Sequence, residues 1–365
     1  MSDLHEKPVR RVLYDFLQVN GGAERLVITL ACGLPGFTLG VSGIYPAFST
    51  TGDLHGLLPQ TPGWLVNWLP RIPRALLCFS RAWLVPQSSV CVVYSGVYAP
   101  LAVSQQVCCK RIYYCHTPPR FAFDRQSEYL LRLPLVLRGP LRWAIGRYRA
   151  AYLRAVRSMD VVVVNSVHVR ERLMAQTGVC AMVIYPPIDT DVFGYISQQD
   201  YYLSVGRLEP NKRIDRIVRA FLNMPEKNLV VASGGSQFSA LQALAAGAEN
   251  IRFVGWQDEE TLAGLVGNAI AVIYVPKDED FGMSAVEAMA AGKPVIGVDE
   301  GGLRESLIPG KTGILLPADP SPEAIVMAVR QLSPAIAVSM REACEARASY
   351  FSRTRFLAAF AEIIE

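Results

Sequence analysis

The sequence predicts an α/β fold of two parallel-sheet domains in tandem. Short runs rich in Val, Ile and Tyr recur through the first half, each followed by Gly, Ser, Pro or Asn. They are Arg11–Phe16, Thr38–Tyr45, Val90–Ser95, Arg111–Cys115, Val161–Val164 and Met182–Tyr185. Continuous apolar character of this kind belongs to strands buried on both faces. Helix-length stretches such as Ala23–Cys32 and Val167–Thr177 separate these runs, and Ser166 is placed to cap the second of them. Strand–helix alternation builds parallel sheets with crossover helices. After the Pro-Pro-Ile-Asp segment and the polar stretch Ser197–Asp200 the pattern restarts with YYLSVG, LVVASG, IRFVG, IAVIYV, PVIGV and GILL. The expected boundary is therefore 1–190 against 191–350. Two such domains are expected to face one another across a cleft at the C-terminal edges of their strands.

Composition bounds the class. A chain of 365 residues is too long for one ordinary core and suits two. With 51% apolar and 19% charged residues it has the balance of a globular protein, and no apolar run reaches the ~18 residues of a membrane span. The opening MSDLHEKPVRRVLYDF lacks an apolar signal core, so a cytoplasmic location is expected. Eight scattered cysteines form no CxxC pair and read as buried free thiols rather than disulfides or zinc ligands. Charge is uneven. Residues 1–190 hold 20 Lys+Arg against 10 Asp+Glu, and residues 191–365 hold 16 against 22. A basic first half on an acidic second half implies that one domain alone meets an anionic surface.

Four segments carry candidate chemistry. Gly21 and Gly22 follow the first strand and open a helix, where backbone amides can meet an anion; a plain tight turn is the alternative. In Ser204-Val-Gly-Arg-Leu-Glu-Pro-Asn-Lys, Arg207 and Lys212 flank one strand-to-helix turn and read as an anion clamp, a planar fork beside a point charge. Further on, Glu279, Phe281-Gly282 and Glu287 straddle the start of an apolar helix. Glu287 inside that helix needs hydrogen-bond partners, which a ribose diol or a nearby cation would supply. His116, in HTPPR after the strand RIYYC, lies where open α/β sheets bind ligands, and both structural and functional roles are open to it.

Together these segments resemble the family-4 glycosyltransferases of the GT-B fold, two facing Rossmann-like domains, and particularly the mannosyltransferase-like members of bacterial polysaccharide assembly. The resemblance runs in order through GGAER, HTPPR, Asn165-Ser166, YPPID, SVGRLEPNKRID, FVGWQ, EDFGM with Glu287, and Gly301-Gly302. It implies that Arg207 and Lys212 bind a donor diphosphate, with Gly21, Gly22, Phe281 and Gly282 nearby. Glu287 would hold the ribose, Glu279 and His116 would meet the transferred sugar at the reaction centre, and Gly255-Trp256 would border the base. The first domain would take the acceptor, the second the nucleotide sugar, and helix 351–365 would return to the first. The donor would be GDP-mannose or a GDP-deoxyhexose such as GDP-rhamnose, with UDP-sugars as the alternative. The same resemblance implies transfer with retention, on one face of the sugar. A nucleotide-sugar epimerase would want additional acidic residues at the cleft, and HTPPR argues for transfer; the set Arg207, Lys212, Glu279 and Glu287 argues against a non-catalytic lipid-binding adaptor. Asp278-Glu279-Asp280 and Asp189-Thr190-Asp191 have the DxD form of metal-dependent transferases, but with two cations to neutralise phosphate no metal and no cofactor are expected.

Residues 129–157 hold seven arginines and no acid, interleaved with Leu, Trp and Tyr, and Trp64–Trp83 is similar. No nucleic-acid fold signature accompanies them. A basic amphipathic surface with Trp at its boundary fits an anionic membrane, with Arg132, Arg138, Arg142 and Arg149 facing it. An ordinary helix burying its apolar face is the alternative. The expected partners are thus a nucleotide-sugar donor, a lipid-linked glycan acceptor and the inner face of the cytoplasmic membrane, with no nucleic acid.

Overall fold

The computed structural model describes residues 10–19, 21–45, 48, 58–59, 69–80 and 89–365. They form two compact units, Met1–Pro186 with Phe356–Glu365, and Pro187–Arg355.

The first unit is built on a seven-stranded parallel sheet: β1 (Arg10–Tyr14), β2 (Phe37–Val41), β3 (Leu58–Pro59), β4 (Ser89–Ser95), β5 (Cys108–Cys115), β6 (Val161–Val164) and β7 (Met182–Val183). Their order is β3-β2-β1-β4-β5-β6-β7, so the winding reverses between β1 and β4. Period-two alternation divides the core into two layers. Val92, Tyr94, Tyr113 and Cys115 point to one side with Ile145 and Tyr152 of the helix Leu135–Arg157. Cys91, Val93, Ile112 and Tyr114 point to the other, with Leu26 and Leu30 of the helix Gly22–Gly33.

That second layer is completed by the end of the chain. Phe356, Phe360 and Ile364, a helical i, i+4, i+8 stripe on Arg353–Ile364, pack into it, and the Tyr114 and Phe360 rings lie 5.8 Å apart. Each such burial is worth roughly 1.5–3 kcal/mol, so the terminal helix is an integral part of this unit's core.

The second unit holds a six-stranded parallel sheet of β8 (Tyr202–Val205), β9 (Leu229–Ala232), β10 (Ile251–Gly255), β11 (Val272–Ile273), β12 (Val295–Val298) and β13 (Gly313–Leu316). Its order is β10-β9-β8-β11-β12-β13, with the reversal between β8 and β11. Both sheets thus have the doubly wound, Rossmann-like order, in which ligands bind beyond the strand ends at the reversal.

Several strands are shorter than their sequence runs. β2 stops at Val41 and β7 at Val183, because the residues beyond leave the ladder for loops. The cysteines are all free, but only Cys78, Cys91, Cys115 and Cys344 are buried; Cys32, Cys109 and Cys180 are exposed, which corrects the expectation of buried thiols. No helix among the described residues is long and apolar enough to cross a membrane.

Candidate functional site

In the second unit the reversal point gathers the acidic and basic residues singled out above. The chain leaves β8 at Gly206 and places Arg207 in solvent. A single 3-10 turn, Pro210–Lys212, then leads into the helix Ile214–Leu222. From the neighbouring β11 the chain runs through Tyr274 to Glu279, six residues past the strand end rather than at it. The two loops are tied together by the Lys277 amide, which donates to the Asn211 carbonyl at 2.7 Å. This tie brings Lys212 Nζ 2.6 Å from Glu279 Oε2 and 2.8 Å from the Tyr274 hydroxyl. Burial opposes the charge on Lys212. The Tyr274 hydroxyl and Glu279 outweigh it and hold the ammonium well above the usual lysine range.

A third loop, after β12, backs the acidic segment. Gly302 N–H donates to the Glu279 carbonyl at 2.9 Å, and a Cβ on Gly301 or Gly302 would collide with the backbone of Glu279 or Asp280. Only glycines allow that approach. Glu300 accepts from the Asp278 amide at 2.8 Å and from Arg213 at 3.2 Å. Beyond Phe281, Gly282 sits at φ +88 and caps the helix Met283–Ala290, a left-handed turn that glycine adopts without strain. The first amides of a helix lack the partner one turn back that later ones have, although here that of Ala285 donates to the Gly282 carbonyl at 3.0 Å. Glu287 lies in the second turn, buried to 5% exposure. Trp256, after β10, is exposed, with its indole against Gly234 in the loop after β9.

In the first unit the reversal lies between β1 and β4, with β5 alongside. His116 follows β5. Its Nε2 is 2.9 Å from the Ser95 hydroxyl at the end of β4, and its carbonyl accepts from Asn165 Nδ2 at 2.9 Å, at the end of β6. Tyr14 and Tyr114 present ring edges to the imidazole. Burial lowers its pKa from 6.5 to about 4, so the ring is neutral at physiological pH. Asp15, after β1, accepts from the amides of Val97, Tyr98 and Ala99 at 2.7, 2.7 and 2.8 Å. Burial pushes its carboxyl up to about 6 against those three bonds. Gly21 is the N-cap and Gly22 the first residue of the helix Gly22–Gly33.

Residues 20–192 match the family model described as Glycosyltransferase Family 4, and residues 190–348 the one described as Glycosyl transferases group 1. The chain belongs to the family-4 glycosyltransferases. Its similarity to the D-inositol 3-phosphate glycosyltransferase of Mycobacteroides abscessus is 32% identity, covering 37% of this chain and 35% of that protein. For the enzyme of that name from Mycobacterium avium, also 32% identical, the shares are 47% and 45%. The chain thus spans between about a third and a half of the length of these relatives. The alpha-1,3/1,6-mannosyltransferase ALG2 of Rhizomucor pusillus is 26% identical, with 82% of this chain and 79% of that one covered. Among solved structures, sucrose-phosphate synthase from Thermosynechococcus elongatus superposes with a TM-score of 0.71 at 18% identity, over 98% of each chain. Anabaena HepE in complex with UDP and glucose gives 0.70 at 14%, over 98% and 99%. These likenesses show the GT-B fold.

The basic segment of this family-4 chain is two helices, Gln126–Leu131 and Leu135–Arg157, broken at Leu133-Pro134, where proline disfavours the helical conformation before it. Arg138 and Arg149 do not stand free. Arg138 Nε donates to the Leu133 carbonyl at 3.0 Å, and the Arg149 guanidinium covers the Phe123 ring at 4.8 Å. Arg132 lies over Tyr129, and Arg142 is exposed. Next to them Leu135, Val136 and Trp143 are 77%, 80% and 67% exposed. Trp64 and Trp83 lie outside the described residues; within that stretch the helix Arg71–Ser80 buries Ala75, Cys78 and Phe79.

Sequence reasoning missed Tyr274, Glu300, Asp15 and Ser95. Tyr274, Asp15 and Ser95 stand at or just past the C-terminal end of a strand bordering the reversal of its sheet, and Glu300 just past the next strand, β12; those positions were the available signal.

Proposed function

We propose that the protein is a retaining glycosyltransferase that moves a hexose, mannose or a deoxyhexose such as rhamnose, from a GDP-sugar to a lipid-linked or surface-polysaccharide acceptor. The observation that carries this reading is the Lys212–Glu279–Tyr274 cluster, held on two tied loops at the sheet reversal, the second of them backed by Gly301 and Gly302. A nucleoside diphosphate leaving group gathers negative charge as its bond to the sugar breaks, and a fixed cation there supplies the stabilisation. In this reading the diphosphate takes Lys212 from Glu279, and the freed carboxylate accepts hydroxyls of the transferred sugar. Exposed Arg207 adds a second cation, and the amides after Gly282 face the phosphates, as do those at Gly21 and Gly22 in the first unit. Glu287 holds the ribose, Trp256 and Gly255 border the base, and neutral His116 meets the transferred sugar. Lys212 and Arg207 take the place of a divalent ion, so transfer needs no metal.

Mannosyl transfer is supported by the likeness to a relative named as a mannosyltransferase over most of both chains. Peripheral attachment to an anionic membrane is supported by the exposed Leu135, Val136 and Trp143 beside arginines in a segment without acids.

A thermal melt against GDP, GDP-mannose, UDP and UDP-glucose tests the donor, because a ligand that binds the folded state raises its melting point. The expected result is the largest rise with the guanine pair. A larger rise with the uridine pair would reassign the base, and no rise with any of the four would overturn the reading.

A further inference from the structure

The grip on His116 has an internal logic that assigns its proton. The Ser95 side chain is fully buried, and its one hydrogen-bond partner among the described residues is His116 Nε2 at 2.9 Å. A hydroxyl brings one hydrogen and two lone pairs. A buried donor left unmade is rarer and costlier than an acceptor left partly used. With a single partner available, the hydroxyl hydrogen therefore goes to Nε2. A neutral imidazole that accepts at Nε2 carries its own proton on Nδ1.

The platform under Ser95 is rigid. The next four residues are pinned from three elements. Asp15 takes the amides of Val97, Tyr98 and Ala99, Tyr113 donates to the Gly96 carbonyl at 3.1 Å, and Tyr148 donates to the Val97 carbonyl at 2.7 Å. On the other side Asn165 fixes the His116 carbonyl, which as an acceptor calls for the Nδ2 end of that amide, and Ser166 donates to Asn165 Oδ1 at 3.3 Å. The imidazole thus hangs between three strand ends that have little freedom to shift.

We propose that Ser95 is a positioning residue for transfer: by donating to Nε2 it holds His116 as the Nδ1–H tautomer and presents that N–H as a hydrogen-bond donor to an oxygen of the reacting sugar. The proposal rests on the reading that His116 meets the transferred sugar. Its consequence is specific. A ring free to exchange tautomers would offer a lone pair instead of a donor for part of the time, and turnover would fall without any change in nucleotide affinity.

The test uses the full chain with nitrogen-15 histidine, whose four ring systems are separable with a His116→Gln reference. Expected for the parent are a protonated Nδ1 and an unprotonated Nε2 at pH 7. Ser95→Ala shifts His116 to a tautomer mixture and lowers kcat for hydrolysis of GDP-mannose or UDP-glucose, whichever the protein turns over, by about tenfold, the worth of one hydrogen bond. KM and affinity for the free nucleoside diphosphate stay unchanged, and Ser95→Thr, which keeps the hydroxyl, restores both tautomer and kcat. A parent ring protonated on Nε2 overturns the proposal at once. So does a Ser95→Ala protein whose kcat is unchanged while His116→Gln is impaired. Full activity in His116→Gln instead removes the role of His116 on which the proposal stands, and removes the proposal with it.

Discussion

Lys212 Nζ and Glu279 Oε2 meet at 2.6 Å although they arrive on loops from different strands, β8 and β11, and both side chains are mostly shielded from solvent. Removing the lysine therefore has two effects. It takes away the cation proposed to meet the leaving group, and it strands a carboxylate beside Tyr274. Lys212→Ala is expected to lose roughly two to three orders of magnitude in turnover and about 1–3 kcal/mol of stability. Arg207 is exposed, so Arg207→Ala should lose turnover on a similar scale with an unchanged melting point. Activity of the parent should persist in excess EDTA. Near-normal turnover in both variants, or loss in EDTA that Mn or Mg restores, would sink the cationic clamp.

The two glutamates separate by their surroundings. Glu287 is buried inside a helix, whereas Glu279 is half-buried on a loop and already engaged with Lys212. Glu287→Gln is expected to weaken binding of the bare nucleoside diphosphate about tenfold, the range of one charge-assisted hydrogen bond. Glu279→Gln should not weaken the bare nucleotide, since it removes a competitor for Lys212, and should weaken the intact sugar donor. Calorimetric titration of both ligands into both variants decides this, and equal losses on the bare nucleotide would contradict the division of roles.

His116 makes stability depend on pH. Its folded pKa of about 4 lies below the ordinary 6.5, so below pH 6.5 the unfolded chain takes up a proton that the folded ring refuses. The contribution is complete above pH 6.5 and is lost as pH falls toward 4, at most roughly 1–3 kcal/mol. Asp15 runs the opposite way, because its folded pKa of about 6 stands above the ordinary 3.8. The comparison that isolates His116 is therefore parent against His116→Gln. The variant should keep a larger share of its neutral-pH melting temperature at pH 4.5, and identical pH slopes would refute the assignment.

The two doubly wound sheets were legible because buried parallel strands announce themselves as short β-branched runs with turn residues at both ends, as at Val161–Val164 followed by Asn165 and the capping Ser166. The place of Arg207 just past β8 was legible for the same reason, whereas Glu279 falls six residues past β11 and Glu287 in the second turn of a helix. What stayed hidden was pairing across strands. Ser95 and His116 are 21 residues apart and Lys212 and Glu279 are 67, and such contacts depend on strand order and loop ties, which no local pattern records. The arginine-rich stretch shows a second limit. Sequence gives the charge of Arg138 and Arg149, but whether a guanidinium reaches solvent, a carbonyl or a ring is decided by neighbours such as Leu133 and Phe123.

That limit sharpens the prediction for the basic helices. With Arg138 half-buried on the Leu133 carbonyl, the surface offered to a membrane is the turn around Leu135 and Val136, the Trp143 indole, and the exposed arginines at 132, 142, 147 and 149, of which 147 lies over Trp143 at 5.3 Å. Each arginine close to an anionic bilayer contributes about 1 kcal/mol, screened over a Debye length of ~10 Å at 0.1 M salt. Inserting two aliphatic side chains and an indole adds a non-electrostatic part that salt does not remove. The protein should sediment with phosphatidylglycerol vesicles at low salt, ignore phosphatidylcholine vesicles, and be only partly released as salt rises. Leu135→Glu with Val136→Glu should abolish sedimentation while leaving the nucleotide-induced rise in melting point intact, since both side chains are solvent-exposed and neither is among the groups proposed to bind the nucleotide. Arg142→Glu should instead shift release to lower salt. A parent protein that stays in the supernatant with phosphatidylglycerol at low salt would show that this apolar, arginine-flanked turn serves another partner.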